Sequence, residues 1–304
     1  MRLPALILSA AALVAAAPWE RSVDVRLMTY NIRLAVKPSK LQPNEEPWSV
    51  RRKHMSAQLN YETAGRPESL ICMQEATYPQ IQDLQEDFGS EWAYVGGGRD
   101  DGRKKGEGSP IFYRPEVWDL EQSKLYWLSQ TPDRVGSKGW DANLPRIATV
   151  ARFRHINTGA RVVYMCTHFD HKGQTARENS ANLLIHLADR WASHKRGNLP
   201  VFLAGDLNVQ PDNKAYKTLA SEMYDLRKVV PQERHFGHII TYTGFRDDGA
   251  HNMFLDHIFV RDPAGLDFRS YAVLNSRYED GVFISDHRPV VVDFRITQIA
   301  RRDY

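Results

Sequence analysis

The 304-residue chain lacks the features that mark several specialised classes of protein. Its two cysteines, Cys72 and Cys166, are too few for a small scaffold held together by disulfides. It contains no low-complexity tract and no repeat of solenoid period, which excludes a repeat array. The formal charge of +3 makes the chain only mildly basic, which suits an acidic substrate. Its lysine and arginine residues are much less dense than in proteins that bind nucleic acid as their main function.

Long apolar runs are missing after the N-terminal segment, so we expect no membrane-spanning helix in the rest of the chain. The chain begins with MRLPALILSAAALVAAAP, which combines an early arginine, an apolar run and small residues that end at Ala17. This pattern is typical of a secretory signal peptide, and we expect residues 1–17 to be removed by cleavage near Ala17. The protein is therefore predicted to be secreted, without a stable membrane anchor, and we expect a monomer.

The two cysteines lie in strand-like segments, SLICMQEA and ARVVYMCTHF. In an oxidising compartment they could form one disulfide. Two separate buried thiols are the other interpretation, and the sequence slightly favours it.

Apolar patterning predicts more strands than helices. VDVRLMTYNIRL and PVFLAGDLN are typical of strands, whereas TARENSANLLIHLADRWASH carries apolar residues on one helical face. Ser49 is predicted to cap an earlier helix. Two sheets packed together, with helices on the outer faces, are the simplest arrangement for such a chain. No linker divides it, so residues 18–304 are predicted to form a single domain.

Polar residues end several of the apolar strands. Burying a carboxylate there is costly unless it is paired or binds a cation. Each residue alone could belong to a turn or a cap. Together they make up a complete hydrolytic set: Asn31, Glu75, His168, Asp206, Asn208, Asp256, His257, Asp286 and His287.

Four residues of this set predict a metal and a water position. Glu75 and Asn31 offer hard oxygen ligands of the kind that Mg²⁺ accepts. Asp206 and Asn208 are two residues apart, so in an extended segment their side chains face the same way. The acid can then take a proton from water while the amide holds that water in place.

The histidines of the set could stabilise a phosphorus centre during a reaction. His168 and His287 can place positive charge or hydrogen-bond donors on a pentavalent phosphorus, and Asp256 can hold one imidazole in orientation.

The segments TYNI, MQE, THF, GDLN, LDHI and SDHRPV, in this order and at these separations, resemble the endonuclease/exonuclease/phosphatase superfamily with its pancreatic-deoxyribonuclease-like fold. The resemblance covers roughly residues 24–296. It implies an α/β fold, a four-layer α/β sandwich with two central mixed β-sheets flanked by helices. The segment WSVRR at 48–52 is similar to the deadenylase-like branch, and later segments resemble a poorly characterised secreted branch.

The resemblance also implies a role for each site residue. Glu75 resembles the principal Mg²⁺ ligand, supported by Asn31 and Asp286. The implied catalytic residues are His168, Asp206, Asn208, Asp256 and His287. In the secreted branch, substrate-binding or site-scaffolding positions correspond to Arg146, Arg177, Asp170 and His171, and surface ion pairing is the alternative for Arg177.

The resemblance implies Mg²⁺-dependent hydrolysis of a phosphodiester by in-line attack of water, with Mn²⁺ as the alternative ion. A nuclease acting on DNA or RNA, including a 3′–5′ exonuclease, is the first choice of activity. The alternatives are a phosphomonoesterase and a phosphodiesterase for a lipid or small molecule. A catalytically silent relative that binds a phosphorylated ligand is the alternative from another class.

Overall fold

The computed structural model of the protein describes residues 20–195 and 197–299. The expected signal peptide, residues 1–17, lies outside the described residues, and its cleavage stays a prediction. Within the described ranges, no helix is long and apolar enough to cross a membrane.

The described chain contains fifteen strands, which in chain order are β1 Glu20–Asn31, β2 Ser69–Gln74, β3 Ala76–Thr77, β4 Ala93–Val95, β5 Glu107–Gly108, β6 Ile111–Tyr113, β7 Trp118–Trp127, β8 Ile147–His155, β9 Arg161–His168, β10 Val201–Asp206, β11 Tyr224–Asp225, β12 His235–Gly237, β13 Asp256–Arg261, β14 Leu266–Val273 and β15 Val290–Ile299. The α-helices of the same part of the chain are α1 Trp48–Thr63, α2 Tyr78–Phe88, α3 Gln174–Ala192, α4 Lys214–Glu222 and α5 Leu226–Val229. Two short 3₁₀ helices span Pro38–Lys40 and Gln232–Arg234.

Two large mixed sheets form the centre of the molecule. The first sheet has seven strands in the order β12-β14-β15-β1-β2-β6-β4, and the second has six in the order β11-β13-β10-β9-β8-β7. Each contains a central parallel pair, β1 with β2 and β10 with β9, among antiparallel neighbours. β3 and β5 pair separately as a two-stranded sheet.

The apolar residues form three layers of core. Side chains such as Leu27, Cys72, Phe202 and Ile258 fill the space between the two large sheets. The outer face of the first sheet is covered by α1 and α2, and the outer face of the second by α3 and α4. This confirms the predicted four-layer α/β sandwich with two central mixed sheets flanked by helices.

Two local predictions were wrong. Cys72 on β2 and Cys166 on β9 form a disulfide, with their Cα atoms 5.3 Å apart, because the two strands face each other across the core between the sheets. Ser49 does not cap α1, because the helix begins at Trp48 after Pro47 and Ser49 lies within its first turn.

Candidate active site

The strand register brings the predicted polar residues to one edge of the sandwich. β9 and β10 run parallel, with His168 opposite Asp206 at their ends. The antiparallel β13 begins at Asp256, which is paired with Asp206. In the facing sheet, β1 ends at Asn31 beside the end of β2. Of these residues, His168 and Asp206 line a cleft of about 310 Å³.

Asn31 joins the two sheets across this edge. Its side-chain amide donates hydrogen bonds to Glu75 Oε1 at 3.1 Å and to Asp206 Oδ2 at 3.0 Å. Glu75 follows β2 in a left-handed conformation with φ 61°, and its Oε2 accepts a hydrogen bond from the amide of Leu34. Burial opposes ionisation of Glu75, but the charge of His168 and this backbone hydrogen bond lower its pKa.

Asp206 lies at the centre of the cleft. Its Oδ2 is 3.3 Å from His168 Nε2 and 3.6 Å from His287 Nε2. Burial opposes the charge of Asp206. The two imidazoles and the backbone N–H of Asn208, which donates to Oδ1 at 2.8 Å, nevertheless hold the pKa of Asp206 well below its usual range. A Cβ at the preceding Gly205 would collide with the carbonyl oxygen of Thr167, which explains the glycine before this aspartate.

Asn208 turns back toward the same centre. It adopts φ 50°, a conformation that asparagine tolerates better than most residues. Its Nδ2 donates to the carbonyl of Phe169 at 3.1 Å and lies 3.0 Å from His168 Nε2. The amide is therefore fixed beside His168 and Asp206.

His287 is held between two carboxylates. Its Nδ1 is 2.7 Å from Asp256 Oδ2, and its Nε2 faces Asp206. Burial alone would lower the pKa of His287, but the charges of Asp256 and Asp206 and the hydrogen bond to Asp256 raise it to about 10. At neutral pH the ring is an imidazolium that donates from both nitrogens.

His168 is fixed from its other side by Arg146. The guanidinium lies 2.8 Å from His168 Nδ1, and because a guanidinium only donates, Nδ1 accepts and the hydrogen sits on Nε2, facing Asp206. Arg146 is itself buried, with Glu107 Oε2 at 3.8 Å and His171 Nδ1 at 3.1 Å.

The oxygen donors of the cleft fit a divalent cation. Burial raises the pKa of Asp286 to about 6, and the charge of Glu75 adds to this effect while His287 opposes it. Asp256 Oδ1 is buried and has no hydrogen-bond partner among the described residues. Such a concentration of buried carboxylates indicates negative charge that a cation would neutralise, and an all-oxygen site suits Mg²⁺ or Mn²⁺.

Asp206, Asp256 and His287 also offer ligand atoms within 4.8 Å of one another. Both nitrogens of His287 already face carboxylates, Nδ1 at 2.7 Å from Asp256 and Nε2 at 3.6 Å from Asp206, so the ring suits bonding to these acids better than metal ligation. The carboxylates of Glu75 and Asp286 therefore fit a hard cation better. Asn31, predicted as a supporting ligand, turns its NH₂ group toward Glu75 and Asp206, while its Oδ1 accepts a hydrogen bond from the Arg33 amide.

Asp170 and Arg177, which were predicted as substrate-binding or site-scaffolding residues, lie beside the cleft and do not line it. Both oxygens of Asp170 accept backbone amide hydrogen bonds, from Asn143 and Leu144 to Oδ2 and from Lys172 and Gly173 to Oδ1. Arg177 donates to the carbonyl of Asp170 and to Gln174 Oε1 in the first turn of α3.

His257 is also set apart from the centre. It is buried against Phe254 and Phe259, with Nε2 3.2 Å from the carbonyl oxygen of Val209. Its neighbours are therefore those of a core imidazole.

Several residues that border the cleft were missed from the sequence, among them Arg33, Glu107 and Tyr242. Arg33 pairs with Glu45 and lies 3.9 Å from Glu75, and it follows Asn31 by two residues, which was the available signal. Glu107 was missed because it stands in the charged segment RDDGRKKGEG, which is typical of a solvated loop. Tyr242 packs its ring 4.9 Å from the His287 ring, and nothing in its local sequence indicates this.

Comparison with known proteins places this geometry in a family. The family model described as "Endonuclease/Exonuclease/phosphatase family" matches residues 28–287. Among curated protein sequences, none gives a significant match.

Solved structures share the fold over nearly their whole length. An endonuclease/exonuclease/phosphatase from Bacteroides vulgatus is 32% identical, with 90% of this chain and 98% of that chain covered and a TM-score of 0.79. A mannosyl-6-phosphatase from Bacteroides thetaiotaomicron is 31% identical, with coverage of 89% and 99% and a TM-score of 0.77. The human Nocturnin catalytic domain, at 18% identity, 90% and 97% coverage and a TM-score of 0.64, shares the fold. The chain belongs to the endonuclease/exonuclease/phosphatase family.

Proposed function

We propose that this protein hydrolyses a phosphate ester by in-line attack of water, with a divalent metal ion as cofactor. The observation that carries the proposal is the convergence of Asp206, His168, His287 and Glu75 on one cleft. Buried carboxylates beside a fixed imidazolium suit a reaction in which negative charge grows on phosphate oxygens.

Asp206 is proposed to act on the attacking water. Its depressed pKa keeps it ionised at neutral pH, so it accepts a hydrogen bond from water and takes the proton as the new P–O bond forms. Asn208 is fixed beside it and aligns that water.

His287 and His168 are proposed to clamp the phosphoryl oxygens. The imidazolium of His287 is oriented by Asp256, and His168 is oriented by Arg146. Both rings are held before substrate arrives, so the charge of His287 and the hydrogen-bond donors of both rings need little reorganisation during the reaction.

Glu75 and Asp286 would hold the metal ion, and Asn31 would orient Glu75 through its hydrogen bond to Oε1. When bound, a Mg²⁺ or Mn²⁺ ion neutralises charge on the phosphate and lowers the pKa of bound water. The proposal includes both Mg²⁺ and Mn²⁺ as the working ion.

A small phosphomonoester is the substrate class that we propose first. The cleft volume of about 310 Å³ suits a phosphoryl group with a small attached group. A relative that is 31% identical is named a mannosyl-6-phosphatase. The nuclease expected from sequence stays a prediction. The acidic wall next to the cleft, described below, would repel a polyanionic strand.

The test is turnover by purified residues 18–304 with Mg²⁺, with EDTA and after Mg²⁺ is restored. p-Nitrophenyl phosphate, bis-(p-nitrophenyl) phosphate, single-stranded RNA and DNA are compared, with Asp206→Asn as the blank. EDTA-sensitive hydrolysis of the monoester above the blank supports the proposal. Cleavage of polymers alone would move the function to a nuclease, and inactivity on all four substrates would count against hydrolysis.

A further inference from the structure

A second cavity adjoins the catalytic cleft and is larger. Its volume is about 710 Å³, against about 310 Å³ for the cleft. Gln42 and Tyr242 border both spaces, so the two are adjacent. Because the Tyr242 ring packs against His287, the boundary between them lies beside the phosphate-clamping imidazolium.

The wall of this cavity bears both signs of charge with an acidic excess. Its four carboxylates face two guanidinium groups, which leaves a formal charge of −2 when His251 is neutral. The charged residues of the wall are Glu46, Arg246, Asp247, Asp248, Arg277 and Asp280. A polyanion entering here would meet net repulsion, whereas an uncharged group would not.

The two arginines of the wall are paired with aspartates, Arg246 with Asp248 and Arg277 with Asp247. Arg246 Nε donates to Asp248 Oδ2 at 2.9 Å. Arg277 donates to the carbonyl of Gly281 at 3.0 Å, and its guanidinium lies 4.8 Å from the centre of the Phe283 ring. The wall therefore offers both donors and acceptors beside an aromatic face.

Hydroxyl groups are the ligand chemistry that matches such a wall. A hydroxyl both donates and accepts, so one face of a polyol can satisfy a carboxylate and a guanidinium at once. Hydrogen bonds to charged partners are also stronger than those between neutral groups. The aromatic face of Phe283 suits the apolar C–H side of a sugar ring.

We propose that this cavity is the leaving-group subsite, and that it binds the uncharged, hydroxyl-rich part of a sugar or polyol phosphate. The inference rests on the proposed hydrolysis of a phosphomonoester and names its substrate class. Arg246 and Asp248 are the specificity-determining pair, because they lie on the wall with their polar groups partly exposed, at 46% and 48%.

The test compares kcat/KM for a hexose 6-phosphate and for p-nitrophenyl phosphate, which lacks hydroxyls on its leaving group. The variant is Arg246→Gln with Asp248→Asn. The matched control is Arg269→Gln with Asp267→Asn, an ion pair of the same spacing and similar exposure on β14. Single-stranded DNA serves as the polyanionic substrate.

We expect the ratio of the two kcat/KM values to fall about 10- to 100-fold in the variant, the effect of one or two lost hydrogen bonds to charged groups. The control should keep the wild-type ratio. A ratio that stays unchanged in the variant, or a wild-type enzyme that hydrolyses p-nitrophenyl phosphate but no hexose 6-phosphate, would overturn the subsite. Faster cleavage of DNA than of the hexose ester would overturn it too. A wild-type protein inactive on both esters would instead refute the proposed function on which the subsite rests.

Discussion

The catalytic cleft and the adjoining cavity differ in how their polar groups are positioned, by strand ends in the first and by a loop in the second. In the cleft, the Asp206 and Asp256 side chains are 2% and 0% exposed, and the ends of two neighbouring strands of the second sheet position them. In the cavity, Arg246 and Asp248 are about half exposed and lie on a loop between strands. The reaction centre is thus built by the fold, whereas the adjoining wall is built by connections that can change without altering the sheets.

Asp206→Asn should give the largest effect and separates the two regions most sharply. We expect kcat to fall by at least about 10²-fold on every ester, because the proton acceptor is lost wherever the leaving group binds. Asp212→Asn, an exposed position on the following loop, is the control. Steady-state kinetics with equal loss on p-nitrophenyl phosphate and hexose 6-phosphate would support the comparison, and near-full activity would remove Asp206 from its role.

The disulfide tests how much the covalent link between the two sheets that form the cleft contributes to stability. Cys72 lies three residues before Glu75, and Cys166 lies two residues before His168. Replacing both by alanine should lower the free energy of unfolding by about 2–4 kcal/mol, because 94 residues separate the linked positions. Guanidinium unfolding measures this loss, and unchanged stability would contradict it.

Asp170→Asn tests whether that carboxylate supports the loop beside the cleft. Although burial opposes its charge, four backbone amides hold the pKa of Asp170 well below its usual range. We expect a loss of about 2 kcal/mol in unfolding free energy at pH 7.

The pH dependence has a definite sign for Asp170. Because its folded pKa is depressed, its contribution is present above the unfolded pKa of about 3.9 and is lost as pH falls through the folded pKa. Denaturation of wild type and variant at pH 7 and pH 3 should show a smaller difference in acid. A difference that grows in acid would exclude this account.

Arg177→Lys should give the smallest effect. Its guanidinium donates to Asp170 and Gln174 at the start of α3, so we expect kcat/KM to change by no more than about twofold on either ester. A large rise in KM would instead place Arg177 in substrate binding. Substrate contacts would then extend beyond the catalytic cleft and the adjoining cavity.

The predictions that succeeded from sequence concern residues fixed by backbone pattern. Asp206 follows a buried strand after a glycine that the packing requires, so its place at a sheet edge could be inferred. Glu107 and Tyr242 could not be found in this way, because they come from short or irregular segments whose course depends on distant contacts. The sequence left the pairing of Cys72 with Cys166 open and slightly favoured two separate thiols, because the pairing depends on how the two sheets face each other.

The adjoining cavity lay beyond sequence analysis altogether. Its walls come from segments around Asn44, Asp247 and Asp280, which are far apart in the chain. Each segment alone is typical of a polar turn. Only the folded two-sheet structure brings these turns together beside Tyr242, whose ring packs against His287.

The most direct measurement of the central claim is Mg²⁺-restored turnover after EDTA treatment, by wild type and Asp206→Asn, on a hexose 6-phosphate. We predict EDTA-sensitive release of phosphate by wild type that returns with Mg²⁺ and falls at least about 10²-fold in the variant. Equal phosphate release by wild type and variant, or release that EDTA does not affect, would contradict a metal-dependent phosphoesterase centred on Asp206.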